Sequence, residues 1–224
     1  MRMRKKKNLL PRMEACSDFL IRDPYQMRGH WRDLFPDAKE VQVELGCGKG
    51  RFTVETAAQH PDILLIAIEK VPDAMVVAME RAKEKGLSNV HFLVGDAALL
   101  PDMFIACEVD RLYINFCDPW PGTRHAKRRL THGNFLVQYR KVLKENGQIH
   151  FKTDNQPLFA FSVEEIPLYG FSLSEVTDHL HKDGPVGVMT DYEAKFYEEG
   201  VPIHRCVATM VPWNPDDFLE SDHL

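Results

Sequence analysis

Nowhere in this chain does an apolar run approach the ~20 residues needed to cross a bilayer, and a secretory leader is lacking, since Leu9 and Leu10 run straight into Pro11 and Arg12. A soluble, cytoplasmic protein is therefore expected. Its 224 residues, 44% of them hydrophobic, suffice for one sizeable core and so for a single domain. Cysteine is scarce: Cys16, Cys47, Cys107, Cys117 and Cys206 are odd in number and show no close pairing, so neither a disulfide framework nor a Cys-x-x-Cys zinc site is suggested. They read as reduced, mostly buried thiols. The histidines lack metal-ligand spacing, because His179 and His181 flank a leucine and would diverge on a helix. No metal is expected.

Net positive charge is also missing. The chain carries −5, which at first argues against a nucleic-acid partner. The distribution argues otherwise, because Arg2, Arg4, Lys5, Lys6 and Lys7 crowd the N-terminus and Arg124, Lys127, Arg128 and Arg129 form a second cluster. Segregated cations steer phosphate to one place while the rest of the surface repels it. For the N-terminal run alone, a flexible basic terminus and an RNA contact both remain open.

Hydrophobic patterning alternates between strand and helix. Strands are expected at 41–45, 64–68, 90–94, 109–116, 148–152, 171–176 and 204–210. Helices are expected at 51–59, from Pro72 to a cap at Gly86, and at 135–143, 157–166 and 192–199, with a turn at Asn146-Gly147. Strands spaced by helical segments imply right-handed crossovers and a doubly wound α/β fold with helices on both faces. Ligands of such sheets bind beyond the carboxyl ends of the strands. Glu44, Glu69, Asp96, Asp118 and Asp154 each stand at or just after such an end.

The glycine loop lacks one glycine that matters. Glu44-Leu45-Gly46-Cys47-Gly48-Lys49-Gly50 has Arg51 where a dinucleotide fingerprint needs its third glycine, which disfavours an NAD-linked oxidoreductase. An acid ahead of the loop suits a ligand carrying positive charge, and Glu69 is placed to bind ribose hydroxyls. This pattern resembles the class I S-adenosylmethionine methyltransferases. Further along, Asp118-Pro119-Trp120-Pro121 puts an acid and an aromatic in a proline-stiffened turn immediately before the second basic cluster. Trp120 would either stack on RNA or pack under the site.

Four segments together narrow the likeness. The loop, the Asp118-Pro119-Trp120-Pro121 turn with Arg124-His125 and Lys127-Arg128-Arg129, the Phe151-Lys152-Thr153-Asp154-Asn155 strand end, and Thr190-Asp191-Tyr192-Glu193 resemble the bacterial tRNA (guanine-N7)-methyltransferase family. The resemblance implies a mostly parallel seven-stranded Rossmann-like sheet at 37–213, between a basic extension at 1–36, partly flexible, and a tail at 214–224. It implies S-adenosyl-L-methionine at Glu44, Gly46, Gly48, Gly50, Glu69, Asp96, Ala97 and Asp118, with Asp118 also catalytic. It further implies tRNA at Gly122, Arg124, His125, Lys127, Arg128, Arg129, Asp154 and the segment Thr190, Asp191, Tyr192 and Glu193, and a guanosine of the variable loop as target. Monomer and homodimer are both open. The family commonly has Lys where this chain has Gly122, so that cation is absent here.

Several of these residues have a structural alternative. Asp154 and Asn155 can cap the helix near Pro157, and Thr190 with Glu193 fits a capping box. Cys117, beside the acid, reads as a structural thiol, since guanine N7 already offers a lone pair and needs no covalent catalyst. Methylation of an exocyclic amine and a non-catalytic RNA-binding module are the alternatives to weigh.

Overall fold

The computed structural model describes residues 6–214; Arg2, Arg4 and Lys5 of the basic run, and 215–224 of the tail, lie outside the described residues. Seven strands form one sheet: β1 (Glu40–Leu45), β2 (Ile63–Glu69), β3 (Val90–Val94), β4 (Val109–Asn115), β5 (Leu143–Thr153), β6 (Phe171–Thr177) and β7 (His204–Met210), in the order β3-β2-β1-β4-β5-β7-β6. All neighbours run parallel except at β7, which is antiparallel to both β5 and β6. Strand order reverses between β1 and β4. That switch point opens a crevice at the carboxyl edge.

Helices α1 (Leu9–Glu14), α2 (Arg51–Gln59), α3 (Pro72–Glu84), α4 (Leu100–Met103), α5 (Gly133–Val142), α6 (Gln156–Leu168) and α7 (Asp191–Glu198) complete the fold. One core lies between the sheet and the side bearing α4, α5 and α6, where Val43, Ile66, Leu112, Ile114, Ile149 and Phe151 meet Leu136, Tyr139, Leu158 and Ile166. A second lies under α2 and α3, joining Leu65, Ala67 and Phe92 to Phe52, Met75 and Met79. β1 alternates Val41, Val43 and Leu45 with the buried polar Gln42 and Glu44, whereas the continuous apolar run of β2 follows from burial on both sides. In β5 the pattern alternates instead, Ile149 and Phe151 facing the first core while Gln148 and His150 stay half-buried on the opposite face.

Two boundaries differ from the sequence reading. The segment before residue 37 contributes to the core from Cys16 onward: Trp31 is fully buried, stacks on Phe104 at 4.9 Å and donates its indole N–H to Met103 O at 2.8 Å. Large aromatic area and one satisfied donor explain why it belongs inside. The expected Asn146-Gly147 turn is an excursion within β5. Val109 pairs with Leu143, yet Arg111 pairs with Gln148, and Asn146 adopts φ +59° to absorb the extra residues.

Candidate active site

Register decides which strand ends meet. Leu45 lies opposite Ile68 of β2 and Ile114 of β4, Glu69 opposite Val94, and Asn115 opposite Lys152. The residues that follow each strand therefore share one rim. Glu44 is the buried member, with 1% exposure; its carboxylate accepts from Thr53 Oγ1 at 2.5 Å and Asn115 Nδ2 at 3.2 Å. Burial raises this acid to about 7, against the lowering pull of those two hydrogen bonds and of Lys152, while Glu69 pushes it further up.

The glycine loop turns through left-handed conformations at Gly46 (φ +82°), Gly48 (φ +57°) and Gly50 (φ +76°). Open space surrounds the first two, where an added Cβ would meet nothing within 4 Å. Gly50 is different: a Cβ there would lie 2.3 Å from Cβ of Ala78 in α3, so glycine lets loop and helix touch. Glu69 holds the loop from the other side, accepting from Gly48 N at 2.8 Å and Val71 N at 2.9 Å. Asp96 accepts from Ala98 N at 3.0 Å and pairs with Lys70 at 2.8 Å; burial raises its carboxyl, but these partners outweigh it and leave it below the ordinary value. Ala97 is buried beside it.

Asp118 stands exposed at the end of β4, and its carboxylate has no hydrogen bond or ion pair among the described residues. Its turn is stiff. Phe116 (φ +54°) and Trp120 (φ +43°) occupy a region side chains seldom adopt, two prolines flank Trp120, and Arg129 donates to Pro119 O at 3.2 Å and Trp120 O at 3.3 Å. Arg128 lies 3.8 Å over the Trp120 ring, which makes the half-buried indole a platform under the basic cluster. Arg124, Lys127 and Arg128 are exposed, and Arg124 donates to His125 Nε2 at 3.0 Å. Gly122 is exposed too and offers no side chain. Cys117 is half-buried against the first core, its thiol pushed up to about 12 by burial and by Asp118, which makes it a poor nucleophile.

Beyond β5, Asn155 caps α6 by accepting from Leu158 N at 2.9 Å, while Asp154 remains exposed. The Thr190–Glu193 capping box forms as the spacing suggests. Its members are otherwise engaged. Glu193 has no exposed area, takes Lys152 Nζ at 2.6 Å and accepts from His181 Nε2 at 3.0 Å; Asp191 forms a two-pronged ion pair with Arg81 of α3 at 2.8 and 3.3 Å. Tyr192 is 62% exposed. It stacks at 6.5 Å on Phe196, which in turn lies 6.1 Å from Phe116, two residues before Asp118. Sequence reasoning quoted Lys152 without a role and passed over Arg81, Thr53 and Asn115. Their partners are set by tertiary contact, Arg81 with Asp191 and both Thr53 and Asn115 with Glu44, for which the sequence offers no local signal.

The rim suits a ligand with a cationic amino-acid part and a nucleoside part. Asn115 Oδ1 is buried beside Glu44 with no hydrogen-bond donor among the described residues, and so matches an ammonium group. Glu69 and Asp96 offer acceptors to hydroxyls and a base, and the open glycine backbone admits close approach.

A family described as "Putative methyltransferase" matches residues 38–206. A tRNA (guanine-N(7)-)-methyltransferase of Geobacillus kaustophilus (strain HTA426) is 44% identical over 95% of this chain and 98% of its own; one of Bacillus velezensis is 43% identical over 98% and 100%. Among solved structures, the 16S rRNA methyltransferase KamB is similar with TM-score 0.62 at 16% identity over 82% of this chain and 94% of that one. TrmN from Thermus thermophilus gives 0.55 at 21% identity over 88% and 52%. These two show the fold alone. With a family match over most of the chain and relatives 43–44% identical over nearly their full length, the chain belongs to the tRNA (guanine-N7)-methyltransferase family.

Proposed function

We infer that this protein transfers the methyl group of S-adenosylmethionine to N7 of a guanosine in tRNA, in the cytoplasm, the variable loop being the site that the family likeness suggests. The bound cofactor supplies an electrophilic methyl on a sulfonium. Guanine N7 carries an in-plane lone pair and no proton, so no general base is needed at the attacking atom. Positive charge builds instead on the purine. An exposed carboxylate in a rigid turn, without a partner among the described residues, is the observation that carries this reading, since Asp118 can hold the N–H edge of guanine and favour the charged product.

The remaining residues divide by chemistry. Glu44 and Asn115 take the ammonium end of the cofactor, Glu69 the ribose, and Asp96 with Ala97 the adenine. Arg124, His125, Lys127 and Arg128 meet phosphates, while Arg129 holds the turn and Asp154 and Tyr192 border the base. In Thr190–Glu193 the two acids act through Arg81 and Lys152. Gly122 contributes backbone only, so neighbouring cations carry the phosphate contact.

The test is incubation with labelled S-adenosylmethionine and unmodified tRNA, followed by nucleoside mass spectrometry. N7-methylguanosine is expected; a methylated exocyclic amine would refute the reading. In single turnover, Asp118→Asn should lower the rate by about 100-fold or more. Full rate in that isosteric variant would remove Asp118 from catalysis.

A further inference from the structure

One guanidinium, carried by α3, touches two other parts of the fold. Arg81 projects from α3, donates to the Lys49 carbonyl of the glycine loop at 2.9 Å, and grips Asp191 in the first turn of α7 with both terminal nitrogens. One turn earlier on α3, Ala78 is the atom-to-atom backing of Gly50. The Ala78–Arg81 face thus cradles the loop from Lys49 to Gly50 and ties it to the helix that bears Tyr192. The other end of that first turn is fixed elsewhere, Glu193 being buried on Lys152 and His181.

We propose that Arg81 is a positioning residue that couples the cofactor loop to the RNA-side helix, and that Asp191 serves this bridge instead of touching substrate. The inference rests on the functional reading above. Its physical basis is shared ordering. Arg81 and Asp191 are each more than a third exposed, so the bridge by itself is weak, and it adds to the anchoring that Glu193 already gives the same turn. A ligand that immobilises the loop holds the Lys49 carbonyl in place, and with it the guanidinium and Asp191; the second ligand then meets a helix N-terminus already ordered and binds more tightly. Linkage makes the effect reciprocal.

Calorimetry of S-adenosylhomocysteine binding, with and without saturating tRNA, tests this in the full chain. In the wild type, tRNA should tighten binding about 5- to 10-fold, and in Arg81→Met or Asp191→Asn less than 2-fold, with the double variant no worse than either single one. Hydrogen exchange gives a second reading: S-adenosylhomocysteine alone should slow amide exchange across residues 188–193 in the wild type and leave it unchanged in Arg81→Met. Equal coupling in the wild type and Arg81→Met, or no coupling in either, overturns the proposal. If wild-type protein still forms N7-methylguanosine in that case, only the coupling falls; if it neither binds nor methylates tRNA, the functional reading falls with it.

Discussion

Glu44 shows how a single residue turns burial into pH dependence. Its folded-state value of about 7 lies above the ordinary 4.5, so the folded protein holds a proton that the unfolded chain releases between those limits. Stability from neutral Glu44 is complete below pH 4.5 and lost as pH rises through about 7, a swing of order 3 kcal/mol at most. Urea unfolding at pH 5 and pH 8 should show this slope, and Glu44→Gln should flatten it. On the proposed reading the cofactor's ammonium lies beside this carboxylate and demands its ionised form. Binding of S-adenosylhomocysteine near pH 6 should therefore expel a proton, detected as a binding enthalpy that varies with the ionisation heat of the buffer; identical enthalpies in two buffers would detach Glu44 from the cofactor.

At the scale of elements, the loops hold the site and a few pairs hold the loops. Glu193 joins β5, the loop ahead of α7 and α7 itself, so its truncation strands a buried ammonium. Glu193→Ala should cost about 3–5 kcal/mol in chemical denaturation. Geometry also fixes the histidine: Val186 N donates to His181 Nδ1 at 3.1 Å, leaving Nε2 as the N–H that faces Glu193. His181→Gln keeps a donor near that point and should lose less than half as much as Glu193→Ala; an equal loss would mean that ring packing against Tyr197 matters more than the hydrogen bond. The junction of loop and α3 is equally exacting. Gly50→Ala puts a methyl into Ala78, and the loop must move away, with a loss of about 1–3 kcal/mol and at least ~10-fold in S-adenosylhomocysteine affinity. Retained affinity would show that the cofactor ignores this part of the loop.

For the whole molecule, charge segregation sets the way RNA arrives. A chain of net charge −5 can attract tRNA only where cations gather, and Arg124, Lys127 and Arg128 are the exposed ones in the 124–129 cluster. Affinity should fall linearly on a log–log plot against salt. Replacing Lys127 by Ala should reduce the slope by about 0.7–0.9, without changing which nucleoside is methylated. Arg129 should behave differently, because its guanidinium holds Pro119 O and Trp120 O and lies 4.4 Å from the Phe161 ring. Its loss should lower the methylation rate more than the salt slope.

Much of this was legible in residue order. The alternation of β1, the apolar run of β2, glycines with obligatory turns between Gly46 and Gly50, and prolines around Trp120 act locally, through backbone sterics and the periodicity of burial, so they can be read without coordinates. Even the gathering of Glu44, Glu69, Asp96, Asp118 and Asp154 on one edge follows from parallel strands that all end on the same side. Only tertiary structure decided which polar groups are free. Asp118 and Tyr192 face solvent, whereas Asp191 and Glu193, two residues apart in one short motif, are taken by Arg81 and Lys152 from distant parts of the chain. Partnership of that kind depends on long-range contact and desolvation, and neighbours in sequence carry no record of either.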